Sequence, residues 1–280
     1  MEWLLEPFAL GFQQRALIGG ALAGVMSAVV GTWLVLRGMS FFGDAFVHGV
    51  VPGIAAAVVL DVNPIIGAAV AALVMVVAIE TVHRQTALSE DTAIGLLFVG
   101  MLALGVVIIS RLDNYSGSLT SILFGDALGV SPEDLIGQAV LTVIILIAAF
   151  VLYRPLLSLS FNRSKASMWG MQPARTHAAL LILIAAAVIG SYQSVGTLLV
   201  FGLLVGPPAT AALLARTVPQ MMSIAVVIAL VSVWIGLTIS YHLNTAGSAT
   251  MAIIPIVLFF IVLAARKVLP SPSMREDAHD

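Results

Sequence analysis

Apolar residues run along this chain in long blocks, without the alternating or every-third-position spacing of soluble strands and helices. Nine blocks approach the 20 or so residues that a helix needs to cross a bilayer. They cover roughly 15–36, 39–60, 64–84, 92–111, 133–153, 175–191, 195–216, 220–242 and 247–265. Glycine and proline interrupt the second, so eight full spans plus one irregular segment fit equally well. The predicted fold is all-α and integral to the membrane: a polytopic bundle of 8–9 transmembrane helices forming one domain over 1–269. Two intervals between blocks are long. The first, Leu112–Pro132, contains the apolar run Ser121–Leu128, which can dip into a membrane only where protein shields its backbone. The second, Ser158–Pro173, contains Phe161–Gly170 and has the pattern of a short amphipathic helix. Met1–Phe8, with Trp3 between Glu2 and Glu6, reads as an interfacial stretch, and no cleavable signal peptide is expected there. Residues 270–280 are predicted to form a disordered tail.

Composition narrows the class further. Sixty per cent of the residues are hydrophobic and 9% are charged, with a mean hydropathy of +1.11. A soluble domain carries about 25% charge to wet its surface. The net charge of −2 leaves no basic footprint for nucleic acid. The absence of cysteine removes disulfides, thiol nucleophiles and thiolate metal sites.

The basic residues orient the spans. With the 154–175 loop placed in the cytoplasm, the inside holds Arg37, Arg84, Arg154, Arg163, Lys165, Arg175, Arg216, Arg266, Lys267 and Arg275. The outside holds Arg15 and Arg111. Ten against two is a strong positive-inside bias, with the N-terminus outside and the C-terminus in the cytoplasm. The same alternation puts Glu2, Glu6, Asp61, Asp113, Asp126, Glu133 and Asp134 outside. These acids form either a mouth that concentrates cations or the remainder left where bases are excluded.

Ionisable side chains inside a span are expensive, and they usually mark a pathway. Asp44 and His48 lie within the second block, four residues apart and therefore on one helix face. A carboxylate with an imidazole supplies two ligands for a divalent transition metal, suiting zinc or manganese better than copper(I). Gly43, Gly49 and Gly53 allow another helix, or a second copy of this one, to come close. Pro52 cannot donate to the His48 carbonyl, which is expected to lie free beside the imidazole. Broken helices with exposed carbonyls coordinate cations in many transporters. The competing structural reading is a polar pair that caps a helix near Arg37 or holds two helices together.

Other polar positions have simpler explanations. His83 and His177 read as interfacial residues at inner ends, and His242 as an outer belt residue beside Tyr241. Glu80 can pair with Arg84 at i,i+4. Glu90 and Asp91 follow Ser89 and favour a helix start. Pro207 and Pro208 free the carbonyls of Leu203 and Leu204, in either a pathway kink or a packing kink. No zinc-protease, nucleophile-elbow or phosphate-loop motif is present. The chain therefore has no ATPase motif of its own, and it is not expected to be an enzyme.

Several segments together resemble the permease subunits of zinc- and manganese-type ABC importers, over roughly residues 15–265. They are Leu34–Gly49, Ser89–Gly95, Leu123–Asp126, Ser191–Val200 and Ile239–Tyr241. The resemblance implies a type II importer-like permease that pairs with a second copy of itself. It also implies cytoplasmic ATPase subunits that bind the 158–172 loop as a coupling helix, and an extracytoplasmic metal-binding protein. ATP would act only through the partner, no cofactor would be held permanently, and manganese or zinc would be the cargo. The family's Gly-Asp-Ala-x-x-x-His segment falls on Asp44 and His48, which then resemble pathway metal ligands. The chain departs from the family pattern at Asn162–Arg163, where an acid and a proline are expected, and at His242 and Asn244. Two other transport readings stand beside this one: a secondary transporter using Asp44 as an ion or proton site, and an ABC permease for a larger chelate.

Overall fold

A backbone in hydrocarbon must satisfy its amides internally, so each apolar block becomes a helix. The computed structural model describes residues 6–86, 90–110, 130–161 and 172–268. Among these are ten α-helices: α1 (Gly11–Leu36), α2 (Ser40–Gly49), α3 (Val51–Val59), α4 (Pro64–Gln85), α5 (Glu90–Ile109), α6 (Pro132–Val151), α7 (Tyr153–Phe161), α8 (Pro173–Leu214), α9 (Val218–Leu243) and α10 (Gly247–Val268). Among the described residues, eight stretches are long and apolar enough to cross a membrane, and Leu199–Leu214 is a shorter apolar helix. The second block is a full-length stretch, Ser40–Val59, although it breaks at Val50 between α2 and α3. The short member is the seventh block, in place of the second. The anticipated dip of Ser121–Leu128, the core of the 158–172 loop and the 270–280 tail lie outside the described residues.

Helix α8 spans Pro173–Leu214 but is not one straight rod. His177 bonds to Arg37 of α1, while the Leu204 carbonyl abuts Gly31 of α1. A straight helix would hold His177 and Leu204 roughly 40 Å apart, whereas Gly31 and Arg37 are roughly 9 Å apart on α1. The chain therefore doubles back after Gly190, which lies by Met26 on α1, and before Leu204. Two antiparallel limbs, not one rod of about 63 Å, match the thickness of a bilayer.

Helix α1 forms the hub of the bundle together with α8, its most extensive partner. Two-thirds (67%) of the most apolar window of α1 is buried, against 17% for α10 and 22% for α5 and α6. Its small residues let neighbours close in: Gly20 faces Val233, and Gly24 faces Ala229. Gly31 meets the carbonyl of Leu204, which Pro208 has deprived of its usual i+4 donor. A carbonyl freed by proline thus packs on a residue without a side chain. The peripheral helices expose large apolar groups, such as Leu96 at 67% and Phe150 at 84%. These groups are tolerated because acyl chains, not water, surround them.

Turns between helices follow backbone chemistry. After α1, the Met39 N–H donates to the Leu34 carbonyl and the Gly38 N–H to the Val35 carbonyl. This is a Schellman closure, with Gly38 at φ +67° in the left-handed region that glycine adopts freely. Asp61, at φ 54°, closes α3 in the same way, through Val62 N–H to Ala57 and Asp61 N–H to Val58. Asn244, at φ 50°, ends α9.

The packing also assigns ends. Because Gly20 and Gly24 face Val233 and Ala229, α9 runs antiparallel to α1. Trp33 meets Tyr153 edge-on at 5.5 Å. The end of α1 that carries Arg37 therefore also carries the Arg154 region and the starts of α8 and α9. Arg15 lies at the opposite end, where its Nε donates to the Val130 carbonyl at 3.0 Å.

Candidate functional site

The site begins with the turn at Gly38, which launches α2 back across the bundle beside α1. Six of the ten residues of α2 are buried, namely Phe42, Gly43, Ala45, Phe46, Val47 and Gly49. They fix the helix rotationally. The remaining face carries Phe41, Asp44 and His48, spaced for one side of a helix. Asp44 and His48 retain 31% and 27% side-chain exposure, and His48 Nε2 lies 3.5 Å from Asp44 Oδ1. At that distance the two groups are neighbours without a good hydrogen bond, so both remain available to a shared cation. The edge of Phe98, on α5, packs against the His48 ring at 5.9 Å and against Phe41 at 5.9 Å. From the start of α2, Asp44 lies about 6 Å along the axis and His48 about 12 Å. The pair is therefore within the span, nearer the end that carries Arg37.

Among the described residues, no three His, Cys, Asp or Glu side chains come together as a ready metal cluster. Asp44 and His48 form an open two-ligand half-site: a hard carboxylate oxygen and a borderline imidazole nitrogen on one wall. The expected free carbonyl of His48 is not free, because the Val50 N–H donates to it as α2 ends. Gly43, Gly49 and Gly53 admit helices of this chain itself. A side chain at Gly43 would meet Leu204, one at Gly49 would meet Met75, and one at Gly53 would meet the Gly67 backbone.

Several other expectations change in the structure. His177 lies at the end that carries Arg37, as expected, but it is buried there: it is 1% exposed, and its Nδ1 lies 2.8 Å from Arg37 Nη1. The guanidinium can only donate, so Nδ1 accepts and the neutral ring carries its proton on Nε2. Hydrophobic patterning gave no signal for this contact, because the two residues come from distant helices. Substituting His177→Ala is expected to cost about 1–3 kcal/mol through loss of this part-buried hydrogen bond to a charged group. A lower melting temperature in detergent, partly restored by His177→Asn, would show this.

The acidic end is also less uniform than the sequence suggests. Asp134 closes a capping box at the start of α6, accepting from Ser131 Oγ at 2.6 Å and from the Ser131 amide at 3.2 Å. Asp61 is a turn residue. Glu6 and Glu133 are exposed, while Glu2, Asp113 and Asp126 lie outside the described residues. A small cavity of about 240 Å³ at this end is lined by Glu133, Asp134, Gln138 and Gly190. His242 is half-buried at the end of α9, its ring 5.2 Å from that of Tyr241. The side chains of His83, Arg84, Glu90 and Asp91 lie outside the described residues.

Comparison with known proteins places these features in a family. The family model for the ABC 3 transport family matches residues 9–266. The chain is 35% identical over 251 residues to the manganese transport system membrane protein MntC of Listeria innocua, covering 90% of this chain and 89% of that protein. It is 34% identical over 271 residues to the chelated iron transport system membrane protein YfeD of Yersinia pestis, covering 95% and 89%. Among solved structures it is similar to a chain of PsaBC from Streptococcus pneumoniae in complex with Fab. That match has a TM-score of 0.83 and 30% identity, and it covers 96% of this chain and 99% of the other. A match over nearly the whole helical bundle, in sequence and in fold, shows that the chain belongs to the ABC 3 transport family, as a multi-pass membrane permease.

Proposed function

We propose that the chain is the permease through which an ABC importer passes a divalent transition metal, manganese or zinc, by ATP-driven alternating access. The observation that carries this reading is the Asp44–His48 pair, held open on one face of a helix that is otherwise buried. Two ligands cannot replace the hydration shell of a divalent ion by themselves. The rest come from water and from a second copy of the chain, whose α2 face would complete the passage. The cargo names of relatives support a metal, and the chelated-iron relative adds iron to the metals to be compared.

In this reading, 1–269 is one permease domain and 270–280 is a cytoplasmic tail. The end bearing Arg37, Arg154 and Arg216 faces the cytoplasm, by the positive-inside bias. The N-terminus is then outside and the C-terminus inside, in the cell membrane. An extracytoplasmic metal-binding protein delivers the ion at the acidic end, and Asp44 and His48 take it up. Cytoplasmic ATPase subunits act through the 158–172 loop, which runs directly into the α8 turn that holds His177 against Arg37. Movement there reaches α2 through the short Gly38 turn. No cofactor stays bound, and ATP enters only through the partner.

Transport in vesicles tests the whole proposal. Vesicles holding this chain and its ATPase, given the loaded binding protein, are expected to accumulate manganese or zinc only when ATP is supplied. Metal accumulation by the chain alone, driven by an ion gradient, would favour the secondary-transporter reading instead.

A further inference from the structure

A concavity of about 950 Å³, with no residue of α2 in its lining, lies on the flank of the bundle between the α6–α7 junction and the start of α9. Its walls are apolar: Phe150 and Val151 on α6, and Met222, Val226 and Val227 on α9. It opens sideways, since Phe150, Val151 and Val227 are 84%, 69% and 58% exposed. These residues belong to membrane-spanning stretches, so the mouth faces acyl chains. The groove has a direction. Val227 lies roughly 12 Å deeper along α9 than Pro219, at the helix start. Arg154 is the one charged residue of the lining, and it lies at the shallow end with Pro219. It is exposed, and among the described residues no carboxylate pairs with it. Arg216, also exposed, precedes α9 at the same level.

We propose that this groove is a binding site for one anionic phospholipid, with an acyl chain along Phe150, Met222, Val226 and Val227 and the phosphate at Arg154. Shape and charge agree on this occupant. An acyl chain fills an apolar trough that runs down a spanning helix, and the phosphate meets a cation where the trough reaches the headgroup level. Each basic residue near an anionic headgroup contributes about fivefold in binding. The start of α9 adds its partial positive charge at the same place. An annular lipid would slide past a smooth helix face; here a concavity and a fixed cation select both halves of the molecule. The site does not depend on the metal proposal, and its ligand differs in class.

Native mass spectrometry of the intact permease–ATPase complex tests it, using phosphatidylglycerol and phosphatidylcholine with identical acyl chains. The wild type is expected to retain phosphatidylglycerol about fivefold over phosphatidylcholine. Arg154→Gln is expected to erase that preference by weakening phosphatidylglycerol more than phosphatidylcholine, whose choline already neutralises its own phosphate, and Arg154→Lys to keep most of it. Val227→Trp, which fills the trough, should weaken both lipids alike. Glycerol phosphate, which has no acyl chain, should not compete. Equal retention of the two lipids by the wild type would overturn the proposal, and so would a preference that survives Arg154→Gln. If Val227→Trp instead loosens the ATPase or the second copy while lipid retention stays constant, the groove is a protein contact and the proposal fails.

Discussion

Substituting Asp44→Ala or His48→Ala should each abolish metal uptake while the permease still folds and still binds its ATPase. The expected loss is large because each variant removes half of the ligand set that this chain provides. Even outer-shell changes around metal ligands cost about 10–100-fold, and loss of a ligand itself should reach at least the upper value. Folding should survive because neither side chain belongs to the packed face of α2. Phe42, Gly43, Ala45, Phe46, Val47 and Gly49 hold that helix, and Asp44 and His48 are about one-third exposed. Truncating exposed polar groups usually changes stability by about 0.5 kcal/mol or less. Uptake of labelled manganese and zinc, measured beside the amount of co-purified ATPase, separates the two effects. Normal uptake by both variants would remove the pair from the pathway. Loss of uptake together with loss of assembly would return Asp44 and His48 to the structural reading of a polar clamp.

The second large effect concerns the fold. Gly31→Val should prevent α8 from seating on α1. A Cβ at position 31 would run into the backbone carbonyl of Leu204 and against the Pro208 ring. No rotamer relieves a collision with backbone, so the helices must separate and the core around Trp33 and Leu34, both fully buried, must open. Overpacking typically costs about 1–3 kcal/mol, and a backbone obstacle places this variant at or beyond the top of that range. The measurable result is a collapse of the monodisperse peak after mild heating in detergent. Gly95→Ala, Gly100→Ala and Gly137→Ala serve as controls, since an added Cβ meets nothing within 4 Å at any of them. They should match the wild type or gain slightly from better helix propensity. A Gly31→Val protein as robust as these controls would contradict the folded-back course of α8.

Some of this was legible residue by residue. The unbroken apolar blocks announced the spans because hydrocarbon permits little else there. The glycines and Pro52 announced the break at Val50, because proline lacks an amide. Asp44 and His48 stood out because ionisable groups in a span are costly. Other features had no local trace. His177 and Arg37 carry ordinary interfacial identities, and only their meeting makes them a buried hydrogen bond. Asp134 has the composition of an attracting acid but serves a helix cap. The carbonyl freed by Pro208 could be foreseen, but not that it would rest on Gly31.

The sequence by itself determined that this chain is a multi-pass helical membrane protein, which of its ends bears the bases, and which two ionisable residues lie within a span. Hydrophobicity and charge act on each residue according to its own chemistry, so they can be read along one dimension. The tertiary structure alone decided that α8 doubles back, that α1 forms the hub with α8, that α2 turns one polar face outward, and that a groove with a cation at its rim lies beside α9. Each of these depends on which helix packs against which. That choice is made by shape between surfaces far apart in the chain, where the pattern of any single segment is silent.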